Sequence, residues 1–161
     1  MSRRLMLRNA ATSERIYLLK DGVYNPIISG FEKKGYNDGS GTVTINSTVS
    51  VSANGSKEAA TATTILPFNC TGYSKIGLKY TRIQSDASNS LAQIVLSDNV
   101  INGNYSGSFI GKTTLGFPRY STETEHEVEI NISGNKYLSF VVNCWRGGVS
   151  ASITVSEIWI E

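Results

Sequence analysis

The stretch that decides the fold is Lys136–Glu161, KYLSFVVNCWRGGVSASITVSEIWIE. In its first half Leu138, Phe140, Val142 and Cys144 fall on one parity, which is the period of a strand with one face in a core. After the Gly147-Gly148 break the alternation resumes with Ile153 and Val155. It then changes phase to Ile158 and Ile160, which predicts a β-bulge near Ser156-Glu157. Two long antiparallel strands closing the chain demand sheet partners upstream, and the upstream sequence supplies them.

RIYLLKDGVYNPII joins two apolar runs through Asp21-Gly22, a pair that tolerates the positive φ angles of a two-residue hairpin turn. Strands are expected over Ile16–Lys20 and Val23–Ile28, with Pro26 placing the second on an edge because it cannot donate to a ladder. EKKGYNDGSG reads as a mobile loop. From Thr42, Val43, Ile45, Val49 and Val51 share one face, either as one half-buried strand or as two kinked at Asn46-Ser47. Ala60, Ala62, Thr64 and Leu66 form the next inward set, followed by Ile76, Leu78 and Tyr80. LAQIVLSD is apolar on both faces, which suits a mid-sheet strand covered on both sides. In EHEVEINI, Val128, Ile130 and Ile132 point inward, while Glu125, Glu127 and Glu129 form a solvated row that discourages edge pairing.

Roughly ten strands with turn signals every 8–12 residues describe an all-β, antiparallel β-sandwich. With 161 residues the chain fits one domain, divided as an N-terminal arm (1–15) and a single sandwich domain (16–161). Within that domain, 16–30 is the hairpin, 31–41 the loop and 42–161 the two-sheet sandwich. Only 17% of residues are charged, against 15 Gly and 3 Pro, a balance suited to a turn-rich β domain.

A formal charge of +2 is too small to imply nucleic acid. Its one concentration, Arg3, Arg4 and Arg8, reads as an assembly arm. A signal-peptide core and any run long enough for a membrane span are missing, so synthesis without a cleavable leader and no membrane insertion are expected. Two cysteines, Cys70 and Cys144, and one histidine exclude a disulfide scaffold and a zinc site built from Cys and His. Whether Cys70 and Cys144 pair stays open, with two buried thiols preferred. Sequons at Asn46, Asn54, Asn69, Asn104 and Asn131 are no more than Asn/Ser/Thr-rich composition supplies.

Chemistry is sparse. A serine or cysteine nucleophile needs a base, and His126 is read as a partly buried structural residue. Glycoside hydrolysis needs two convergent carboxylates, which the same-face glutamate row does not provide. NDGSG at 37–41 and SDN at 97–99 could offer oxygen ligands to Ca²⁺, yet turn chemistry explains both equally well. No cofactor, metal site or catalytic residue is assigned. What remains is a capacity to bind through rings, amides and guanidinium groups in loops. The candidate ligand contacts are Tyr105, Phe117, Arg119, Tyr120, Trp145 and Arg146. Of the reactive-looking trio in NCWRGG, Cys144 belongs to the core, while Trp145 and Arg146 fall at the rim.

Three stretches carry a resemblance: the basic start MSRRLMLRN, the hairpin segment IYLLKDGVYNPIISGFEKKGY, and the framework FNCTGYSKIGLKY with the closing YLSFVVNCWRGGVSASITVSEIWIE. Together they resemble the small jelly-roll domains of tailed bacteriophages and of prophages in Gram-positive bacteria. The closing framework is also similar to β-sandwich carbohydrate-binding modules. The resemblance implies a jelly-roll sandwich in a non-enzymatic virion structural protein, made in the host cytoplasm and displayed on a tail or receptor-binding component. It also implies other virion proteins as partners, a homo-oligomer with a trimer favoured, and a host-surface glycan as ligand. The alternatives are a capsid decoration or head-fibre protein, and a free carbohydrate-binding module.

Overall fold

The computed structural model describes residues 5–6, 16–20, 23–28, 31–34, 41–45, 48–64, 67–69, 74–86, 88–99, 113–114 and 125–160. These form β1 (Leu5–Met6), β2 (Ile16–Lys20), β3 (Val23–Ile28), β4 (Phe31–Lys34), β5 (Thr42–Ile45), β6 (Val49–Asn54) and β7 (Glu58–Thr64). They continue as β8 (Phe68–Asn69), β9 (Lys75–Gln84), β10 (Ser90–Ser97), β11 (Thr113–Thr114), β12 (His126–Asn131), β13 (Asn135–Cys144) and β14 (Ser150–Ile160). Among the described residues no helix is long and apolar enough to cross a membrane.

β6, β14, β9 and β12 lie side by side with β5 on the flank, and they face a sheet ordered β11-β10-β13-β7-β4. The first and last long strands, β6 and β14, are neighbours, and so are β7 and β13 in the other sheet. This nested, fully antiparallel order is that of a jelly roll. β2 pairs β3 antiparallel, as Asp21-Gly22 predicts, and Pro26 falls on the outer strand of a three-stranded sheet ordered β1-β2-β3.

The core is made by the alternation. Leu138, Phe140, Val142 and Cys144 of β13 are all completely buried, opposite Val49, Val51, Ile76, Leu78, Ile153 and Val155 of the facing sheet. Val43 and Ile45 are half-buried against the same core. The register of β14 on β9 slips between Val155 and Glu157, which is the expected bulge. It brings Ile158 back into the core after the phase change.

Several expectations need correction. The loop assigned to 31–41 contains β4, which pairs with β7. Phe31 is 2% exposed and stacks on Phe140 with ring centroids 5.3 Å apart. The run Glu32-Lys33-Lys34 masks this strand in the sequence, because a flank strand needs only one deep anchor to be held. Of the two readings of this stretch the two-strand one holds: β5 and β6 are separate strands paired as a hairpin, with Ile45 opposite Val49. β7 is buried on both faces, since Ala59, Thr61 and Thr63 are as inaccessible as Ala60 and Ala62. The same holds in β13 and β10, where Ser139, Val141, Asn143, Val95 and Ser97 are buried on the face away from the core. Small hydroxyl residues tolerate that burial because they pair: Thr63 Oγ1 and Ser139 Oγ lie 2.9 Å apart.

Candidate functional site

One end of the sandwich gathers three turns that are far apart in sequence. Cys144 at the end of β13 sits between Glu58 at the start of β7 and Ser90 at the start of β10. In the other sheet, the start of β14 lies between the end of β6 (Ser150 opposite Asn54) and the end of β9 (Ala151 opposite Gln84). The turns 55–57, 85–89 and 145–149 therefore share one surface, with the 145–149 turn in the middle.

Backbone hydrogen bonds tie these turns together. Trp145 N donates to Asn89 O at 2.9 Å, Gly55 N to Val149 O at 3.1 Å and Ser85 N to Ser150 O at 3.0 Å. Ser150 N donates to Ser85 Oγ at 2.7 Å. Left-handed backbone appears where these turns reverse, at Gly55 (φ 132°), Lys57 (φ 62°) and Gly148 (φ 77°). For Gly148 the residue type permits it without strain.

The 85–89 turn is organised by Asp86. Its two carboxylate oxygens accept from Ser88 N and Asn89 Nδ2, each at 2.8 Å. Its carbonyl accepts from Ser90 N at 2.8 Å and Ser90 Oγ at 2.6 Å. The Asn89 side chain and the Ser88 amide hold the Asp86 carboxyl below the usual range, with Arg146 adding a smaller attraction. Glu58 plays the matching part in the first turn, where its Oε2 accepts from Asn54 N at 2.7 Å.

On this frame stands Trp145, 42% exposed and the one exposed large hydrophobic residue among those described. Gly147 and Gly148 follow it, and a Cβ at either would meet nothing within 4 Å. Arg146 and Lys57 are both exposed. The arrangement offers an apolar ring with two exposed cations on the same end of the sandwich.

Of the residues singled out from the sequence, Trp145 and Arg146 sit at this end as the rim reading requires. Phe117, Arg119 and Tyr120 lie outside the described residues. Tyr105, Arg3, Arg4, Arg8, Cys70 and residues 37–40 also lie outside the described residues. At the second proposed calcium fragment, Asp98 is ion-paired with Lys136 and Ser97 Oγ donates to Asn99 O at 2.8 Å. This is turn chemistry.

His126 is exposed at the start of β12, not partly buried. Its ring lies 6.0 Å from that of Tyr80, its cross-strand partner. It is at the edge because β12 is the outermost strand of its sheet among the described residues. The glutamate row is solvated as expected, but it is also paired: Glu129 with Lys75 at 2.8 Å and Glu125 with Lys79 at 2.9 Å. Cys144 is completely buried and its thiol donates to Ala53 O at 3.5 Å. Burial pushes that thiol's pKa up, the reverse of nucleophile activation.

Arg82 and Gln84 escaped the sequence reading. They continue the inward parity of Ile76, Leu78 and Tyr80, and are 6% and 8% exposed. Arg82 Nε donates to Ala92 O at 2.9 Å, its Nη2 donates to Gln84 Oε1, and Gln84 Nε2 donates to Ser90 O at 2.6 Å. These bonds lace the two sheets where β9 hands over to β10, directly beneath the 85–89 turn. Burial lowers the Arg82 pKa and raises that of Tyr80. The sequence signal was the unbroken parity through Gln84, overruled by the polarity of the side chains.

No family model matches the chain, and no curated protein matches it. Among solved structures it is similar to the secreted serine protease VesC from Vibrio cholerae, with a TM-score of 0.44 and 15% identity over 73% of this chain. The chain spans only 22% of that protein's length. A likeness of this degree carries no argument about function.

Proposed function

We propose that this chain is a non-enzymatic structural protein of a tailed-bacteriophage virion, displaying its jelly roll for assembly and for adhesion to a host-surface glycan. The observation that carries the adhesion half is the exposed Trp145 ring, on a turn hydrogen-bonded to both of its neighbouring turns. A fixed, flat, apolar plate rimmed by amides and cations fits a sugar ring, whose faces are apolar and whose edge is hydroxylated. The virion half rests on the three stretches of sequence that resemble phage jelly-roll domains. Fold by itself assigns no function.

The non-enzymatic part is supported by the separation of the reactive side chains. The buried Cys144 thiol sits among core residues, and His126 stands on the edge of the opposite sheet. Mass spectrometry of purified particles tests the reading directly: the protein copurifies with virions, and its absence from them refutes the virion assignment. A free carbohydrate-binding module is the second reading, favoured by the same Trp145 plate. It predicts glycan binding by a protein that never enters particles.

A further inference from the structure

We infer that the three-turn end selects anionic saccharides, taking the sugar ring on Trp145 and its carboxylate or phosphate on Arg146 and Lys57. This rests on the adhesion reading for the presence of a saccharide at all. The selection comes from how the charges at this end are committed.

Four charged side chains stand on the turns: Lys57, Glu58, Asp86 and Arg146. Both acids are turned to the protein's own backbone and amide groups. Asp86 accepts from Ser88 N and Asn89 Nδ2, and Glu58 accepts from Asn54 N. A carboxylate whose oxygens already accept two such bonds offers little to a sugar hydroxyl and repels an acid less than a bare one. The cations are placed differently. Lys57 and Arg146 are exposed and have no salt-bridge partner among the described residues. Arg146 adds a small attraction to the Asp86 carboxylate from the neighbouring turn.

Elsewhere among the described residues the contrast is clear. Lys75, Lys79 and Lys136 are each matched by Glu129, Glu125 and Asp98. Lys57 and Arg146 beside the exposed ring carry no such ion pair among the described residues, and Lys33, which also carries none, donates instead to Gly41 O at 3.2 Å. The backbone holds Lys57 in a left-handed turn whose first amide, Gly55 N, is hydrogen-bonded to Val149 O of the Trp145 turn. The two cations therefore sit on adjoining, hydrogen-bonded turns.

The test uses the full chain on an array of matched oligosaccharides in neutral, uronate-bearing and phosphate-bearing forms. It is followed by calorimetry with the best ligand, its neutral counterpart and inorganic phosphate alone. The expected result is binding of acidic members at least tenfold tighter than their neutral counterparts, weakening with added salt. Lys57→Gln and Arg146→Gln should each cut acidic binding by about tenfold, the loss of one charge-assisted hydrogen bond, and bring the acidic-over-neutral ratio down by about as much. Trp145→Ala should abolish both. Uronate against phosphate members identifies which acid is taken.

Equal binding of neutral and acidic forms overturns the selection and leaves adhesion standing. Binding that ignores Lys57→Gln and Arg146→Gln but is lost in Trp145→Ala does the same. Failure of every array member overturns both readings, and binding of inorganic phosphate without any saccharide overturns the ring's part. Circular dichroism of each variant, all at exposed turn positions, separates a lost site from a lost fold.

Discussion

Gly77→Ala tests the packing of β14 against β9. Gly77 is the cross-strand partner of Trp159, whose indole is 3% exposed. A Cβ on Gly77 would lie 1.9 Å from Trp159 Cε2 and 2.2 Å from both Cζ2 and Nε1. Carbon atoms rest about 3.5–4.0 Å apart, so the ring must retreat by roughly 1.5–2 Å or leave. A retreat within the packing costs about 1–3 kcal/mol, the usual range for an overfilled site. Full expulsion forfeits burial of about 150–250 Å² at roughly 25 cal/mol per Å², or about 4–6 kcal/mol.

The sign reverses when the ring is absent. Gly77 is not among the glycines with positive φ, so alanine fits its backbone. In a Trp159→Ala background, Gly77→Ala should then stabilise by about 0.4–1 kcal/mol through reduced freedom of the unfolded chain. Urea titration of the four proteins in this cycle measures both numbers. With a slope of about 1–3 kcal/mol per molar, the single Gly77→Ala variant should unfold at a clearly lower midpoint. A Trp145→Phe background reserves the fluorescence for Trp159, which should shift red in Gly77→Ala. Equal effects of Gly77→Ala with and without Trp159 would refute the claim that the glycine exists to seat this ring.

Three more expectations follow from the same packing. Thr63→Val or Ser139→Ala alone leaves a buried hydroxyl without its partner and should cost about 1–3 kcal/mol, while the double variant costs less than the sum, as chemical denaturation of all four proteins will show. The Asp86 carboxyl is held below its ordinary pKa, so its contribution is present above the unfolded value of about 3.9 and fades as pH falls through the folded one. Asp86→Asn should flatten the acid side of a Tm-against-pH curve, and an unchanged curve would count against the turn network. The Cys144 pKa is raised by burial, so its contribution is complete below the unfolded value of about 8.5 and lost as pH rises through the folded one. In a Cys70→Ser background the native thiol should resist aromatic disulfide reagents until the protein unfolds, and Cys144→Ala should remove part of the alkaline destabilisation.

Much of the scaffold was legible because side-chain alternation is local. The β13 face from Leu138 to Cys144, the Asp21-Gly22 hairpin, the bulge at 155–157 and the rim position of Trp145 all follow from counting parity. What resisted reading were positions where burial contradicts polarity. Arg82 and Gln84 look like solvent residues, yet they face inward because acceptors on Ala92 and Ser90 of the other sheet await them. β4 looks like a charged loop, yet Phe31 fills a gap against Phe140. In the site, Trp145 and Arg146 were visible as a ring and a cation at a strand end. Lys57, Asp86 and Asn89 were not, because nothing in a turn sequence says which other turn it touches.

By itself the sequence determined that the chain is all-β, where most strands run and which residues of each enter the core, because a two-residue period needs no knowledge of neighbours. The tertiary structure decided the order of the strands, and with it everything that depends on proximity. Seating β14 between β6 and β9, and β13 between β7 and β10, brings turns from residues 55, 86 and 145 onto one surface. The outer rows of β7 and β13, which alternation alone assigns to solvent, are buried as well. Pairing partners in a jelly roll are set by long-range burial and register, summed over both sheets, and no single strand carries that information.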